Sequence, residues 1–91
     1  MKPEATFTAH NVQIGVAALA TCPADLTAIR QALEAIPEAR RGFVAAHAIQ
    51  LGYLNRAAGR LVIQEIGWPA LSGELGNETA SNLLKKVESL N

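Results

Sequence analysis

What this chain lacks narrows its function further than what it contains. It has one cysteine, Cys22, among 91 residues, so no internal disulfide can form and the sequence carries no adaptation to an oxidising compartment. Its aromatic residues are only Phe7, Phe43, Tyr53 and Trp68, a poor endowment for a sheet protein, because strands favour aromatic and β-branched side chains. It has no excess of either charge: 8 basic residues face 8 acidic ones. That balance removes the electrostatic footprint of a non-specific nucleic-acid binder and of a ligand for anionic membranes. No apolar run approaches the ~18 residues that a membrane span needs.

Chemical signatures are also missing. His10, His47 and Cys22 are far apart and match no metal-ligand spacing such as HxxxH, CxxC or ExxH. The glycines fit neither a phosphate loop nor a dinucleotide fingerprint. Ser72, Ser81 and Ser89 sit in no nucleophile motif. The sequence therefore predicts no catalytic residue, no metal and no cofactor. The apolar run Ile14 to Ala20 leads into Leu19-Ala20-Thr21-Cys22 and brings a lipoprotein leader to mind. However, Glu4 offsets Lys2, while His10, Asn11 and Gln13 interrupt the approach and Thr21 is a poor residue before the cysteine; a cytoplasmic protein is the expectation.

Alanine is the commonest residue present, and alanine has the highest helix propensity and lets helices approach closely. The expected fold is one all-α domain over residues 1–91, a small four-helix bundle-like unit with residues 1–10 as an extended start. Val12, Val16 and Leu19 recur at helical spacing after Asn11, a candidate N-cap; the alternation Val12, Ile14, Val16 is the rival strand reading, and helix is favoured for residues 12–19. Pro23 and Asp25 suit the start of a second helix with the stripe Leu26, Ile29, Leu33, Ile36. Arg30 and Glu34 share its outer face. A third helix is expected over residues 38–66, about 45 Å long at 1.5 Å per residue. Gly67, Trp68 and Pro69 read as its stop, and residues 70–77 as a loop with room for one helical turn. The last helix, 78–90, has the stripe Leu83, Leu84, Val87, Leu90, giving bounds of 10–21, 24–36, 38–66 and 78–90.

A helix of that length outruns a 91-residue globule. Val44, Leu51 and Ala58, with His47, Leu54 and Leu61, repeat every seven residues and form a seam suited to a partner helix. Ala45, Gly52 and Gly59 repeat beside it as a groove of small residues. Arg40, Arg41, Arg56 and Arg60, with Tyr53, supply the residue types favoured as interface anchors. The leading expectation is thus a non-enzymatic interaction module of adaptor or inhibitor type. It would bind a protein partner and self-associate through residues 38–66, as a dimer before larger assemblies. Which partner, and whether residues 38–66 form one helix or two, stays open.

A second pattern competes with that reading. Ala48, then Leu51-Gly52-Tyr53, a polar segment from Asn55, and Gly67-Trp68-Pro69 follow one another in an order that resembles the second helix-turn-helix of AraC-type transcription regulators. The resemblance covers about twenty residues. It departs from the family near Gly59, where an aromatic is expected, and at Val62-Ile63-Gln64-Glu65, where the family is basic; the closing glycine also comes one residue early. It implies a turn at Gly52 and sequence-specific DNA binding by residues 46–66. Nucleic acid is the less favoured partner on net charge, and the break or continuity of the chain at Gly52 separates the two readings.

Overall fold

The computed structural model describes the backbone of residues 9–91 and the side chains of residues 11–91. The extended start expected for residues 1–10 falls almost wholly outside the described residues. Six helices follow in order: α1 (Ala9–Ala20), α2 (Leu26–Glu34), a 3-10 turn (Glu38–Arg40), α3 (Arg41–Gln50), α4 (Arg56–Ile66), α5 (Trp68–Leu75) and α6 (Asn77–Glu88). Among the described residues there is no strand, and residues 12–19 are helical.

The single helix 38–66 does not exist; it is α3, a turn and α4. The cause is local. Gly52 takes φ +77, and around it the Tyr53 N–H donates to the Ala48 carbonyl and the Gly52 N–H to the Ile49 carbonyl, both at 3.0 Å. This pair of bonds closes a helix through a left-handed glycine. Asn55 then opens α4: its side chain accepts the Ala58 N–H at 2.8 Å. The seven-residue repeat runs through the turn because both helices bury against the same core, so periodicity could not reveal the break. No neighbour lies within 4 Å of a Cβ built on Gly52, which makes the cost of a side chain there purely conformational. Gly52→Ala should lower stability by about 1–2 kcal/mol, and Gly52→Asn by less, measured by urea unfolding.

Two further expectations need correction. Residues 70–77 are not a loop: α5 occupies Trp68–Leu75, with Pro69 in its first turn. Proline starts this helix as readily as it stops the previous one, since its missing N–H loses no bond there. The second helix begins later than expected, because Asp25 is its N-cap, accepting the Ala28 N–H at 3.0 Å.

Helix α3 lies at the centre and packs against α1, α4, α5 and α6; α4 packs against α2, α5 and α6. Among the described residues the core is wholly aliphatic: Leu19, Ile29, Val44, Ile49, Val62, Leu71, Leu83 and Val87 are its largest fully buried side chains. Close packing depends on small residues, since a Cβ on Gly59 would stand 3.1 Å from Val87 Cγ1 and one on Gly15 3.0 Å from Val44 Cγ1. The Cα radius of gyration is 12.1 Å and the longest axis 40 Å. A closed globule of this length has a radius near 12 Å, so no described helix protrudes from the domain.

Candidate protein-interaction surface

The first turn of α3 is fixed by a residue from another helix. A helix leaves its first N–H groups without intrahelical partners, and Arg40 supplies no side-chain cap for α3. Glu74, on α5, does so: its carboxylate accepts the Gly42 N–H at 2.9 Å and the Phe43 N–H at 2.6 Å. A Cβ at 42 would lie 2.9 Å from Glu74 Oε1, so a larger residue there would make that carboxylate shift. The far end of α3 is closed by the Gly52 turn. The helix is held at both ends.

Its outer face is uncharged, exposing Phe43, His47 and Gln50, with Leu51 at its cap. Phe43, His47 and Leu51 follow at four-residue steps and so form one stripe along α3. The Phe43 and His47 rings stack with centroids 6.4 Å apart. Phe43 is 49%, Leu51 51% and Tyr53 53% exposed. Trp68 is also exposed, so none of the aromatic residues whose side chains are described contributes to the buried core. From Gly42 to Asn55 the sequence contains no Asp, Glu, Lys or Arg. At the turn the stripe meets an open cleft lined by Gly52, Tyr53, Leu54, Asn55 and the chain from Ser89 to Asn91.

The arginines expected to anchor a partner are placed differently. Arg41 Nε donates to the carbonyls of Leu33 and Ile36 at 2.8 and 3.0 Å, closing the end of α2. Arg56 Nε donates to the Leu90 carbonyl at 3.1 Å. Arg60 makes a two-pronged pair with Glu88, its Nε 2.8 Å from Oε2. Arg40 is exposed on the 3-10 turn, and Arg30 reaches Glu65 across helices at 3.0 Å rather than Glu34 within its own. Arg41 is thus turned toward α2 while Arg56 and Arg60 hold the end of α6, and Tyr53 lines the cleft at the Gly52 turn together with Leu90, whose carbonyl Arg56 binds. Of the expected seam, Val44, Ala45, Leu54, Ala58 and Gly59 are buried inside the domain and Leu61 is half-buried, while His47, Leu51 and Gly52 are exposed. Phe43 and Glu74 were not among the sequence-derived candidates. Phe43 could have been found from its four-residue spacing to His47; Glu74 carries no sequence signal.

The remaining candidates do not assemble. Among the described residues no three of His, Cys, Asp or Glu come together in a way that could hold a metal ion. Cys22 is half-buried, and burial, with a smaller contribution from Asp25, pushes its thiol above the ordinary range. A charged cleft of about 200 Å³ between α2, α4 and α5 is lined by Arg30, Glu34, Glu38, Arg41 and Glu65. Arg30 and Arg41 already make the internal bonds described above. No described helix is long and apolar enough to cross a membrane.

The Arg60 pair carries a testable pH dependence. Its hydrogen bonds hold the Glu88 carboxyl below the usual range; desolvation opposes them, and the charges of Arg60 and Arg56 add smaller downward effects. A carboxyl depressed in the folded state stabilises that state above its unfolded pKa and loses the effect as pH falls through the folded value. Wild type should therefore exceed Glu88→Gln slightly in urea midpoint at pH 7. The gap should shrink below about pH 4 and also in high salt, because the pair is exposed.

Compared with known proteins, the chain matches no family model, no curated protein and no solved structure.

Proposed function

We propose that this chain is a helical protein-interaction module, without catalytic chemistry of its own, that binds through the outer face of α3 and the turn after it. The observation that supports this most is the uncharged stripe Phe43, His47, Leu51, continued by Tyr53, on a helix fixed at both ends. Half-exposed aromatic and leucine side chains on a rigid element are what interface cores use: they carry large apolar area and lose little entropy on docking. A contact surface of this composition serves an adaptor or an inhibitor equally. The test is site-specific photo-crosslinking. A photoreactive residue at Leu51 or Tyr53 should give discrete adducts in the native host, and the same residue at Ser81 on α6 should not. Equal labelling at all three positions would sink the proposal.

One observation favours a second reading. The Gly52 turn joins α3 to an N-capped α4 whose exposed face presents Arg56, Ala57, Arg60 and Gln64, side-chain types that read base edges in the major groove. This supports sequence-specific DNA binding by residues 46–66. Against it stand the bonds of Arg56 and Arg60 to the end of α6 and the absence of net positive charge. Fluorescence anisotropy with duplex DNA at low salt decides between them. Salt-sensitive binding that is lost in the double variant Arg56→Ala/Arg60→Ala would favour the second reading; no binding favours the first.

A further inference from the structure

We infer that α5 is a hinged latch on α3: it opens as a unit before the rest of the fold unfolds and, in opening, releases the first turn of α3. Its two ends mark it out. Gly67 and Gly76 both take positive φ, +87 with ψ 144 and +89 with ψ 152, a backbone region that glycine adopts far more readily than other residues. Nothing lies within 4 Å of a Cβ built on Gly76, and only Pro69 Cδ, at 4.0 Å, meets one built on Gly67. Close packing therefore does not account for either glycine; backbone conformation does.

Little holds the helix down between these hinges. Leu71 is its single buried residue, Leu75 is half-buried, and Pro69, Ala70 and Gly73 are exposed. Eight residues are too few to keep a helix folded unaided, and segments with few buried apolar contacts are the first to open locally. The remaining tether is Glu74, three residues past Leu71, whose carboxylate crosses to the Gly42 and Phe43 N–H groups. When α5 swings out, those amides lose their acceptor and the turn that carries Phe43 loosens with it. The effect on binding rests on the interaction-surface reading, since Phe43 belongs to that face; the latch itself needs no partner.

Native-state hydrogen exchange on the full chain, followed amide by amide by NMR in rising sub-denaturing urea, tests the latch. The Leu71 and Gly76 amides, bonded to the Gly67 and Ser72 carbonyls, should share one opening with those of Gly42 and Phe43. Exchange through it should be about tenfold or more faster than at Ile49 and Val62. It should also depend less steeply on urea, because less surface is exposed. Gly76→Ala strains one hinge without touching α3 and should speed all four latch amides together, by about tenfold. The inference falls if Gly42 and Phe43 exchange only with the interior, or if Gly76→Ala speeds Leu71 and leaves Gly42 and Phe43 unchanged. Equal photo-labelling at Leu51, Tyr53 and Ser81 would remove the interaction surface and leave the latch standing.

Discussion

Ile49→Ala should be the most damaging single truncation in α3, costing about 2–5 kcal/mol. Ile49 is 0% exposed and belongs to the helix that packs against four others. Removing three side-chain carbons forfeits their transfer free energy and leaves a cavity whose walls cannot close, because several helices would have to move together. A domain of this size has roughly 5–9 kcal/mol in total, so the loss would be a large fraction of it. The urea midpoint should fall by about 2 M or more. A shift under about 0.5 M would show that the interior is loosely packed and that α3 is not its centre.

Glu74→Ala should cost about 2–3 kcal/mol, a large effect for a side chain on the surface of a short helix. The carboxylate accepts two backbone N–H groups at the start of α3, and bonds to a charged acceptor contribute about 1.5–3 kcal/mol each before the loss is softened by water. It also places a negative charge at a helix N-terminus, where the dipole favours it. Glu74→Gln keeps an acceptor and should recover part of the loss. Gly42→Ala probes the same contact from the other side. Alanine gains about 1 kcal/mol in helix propensity, yet its methyl would stand 2.9 Å from Glu74 Oε1 and displace the cap. A neutral or stabilising Gly42→Ala, measured by urea unfolding, would mean that the Glu74 cap contributes little.

Much of the helical content was legible in the sequence. The stripes Val12, Val16, Leu19 and Leu26, Ile29, Leu33 and Leu83, Val87 locate α1, α2 and α6 to within a few residues, since each helix buries one face and leaves the other in water. The break at Gly52 was harder to read. Hydrophobic spacing reports which residues face the core and not whether the backbone between them is continuous, and here two helices share one core. The signals were present all the same: a glycine after Leu51 and an asparagine three residues later are a stop and a start, as the resemblance to a helix-turn-helix implied. Helix α5 escaped because eight residues between two glycines carry little more than two turns of pattern, and Pro69 fits either end of a helix.

The candidate surface was half legible. His47, Leu51 and Tyr53 drew notice as types of residue, but their exposure depends on where α1 and α5 stop covering α3, a tertiary fact. The arginines show the same limit. Each is an ordinary interface residue until its donors are followed, and Arg41, Arg56 and Arg60 turn out to tie helices of the same chain together through pairings that span up to 34 residues. Glu74 lay beyond sequence reasoning altogether, since nothing in a glutamate on one helix announces the backbone amides of another.

The placement of the rings has a spectroscopic corollary. Because Trp68 already stands 41% exposed in the folded chain, its emission has little distance to travel toward the red when the protein unfolds, and it will serve poorly as a melting probe. Under the proposed interaction a bound molecule would cover Tyr53 and Phe43. The ultraviolet signal would then report on company, while the order of the interior is visible to backbone dichroism and to methyl resonances.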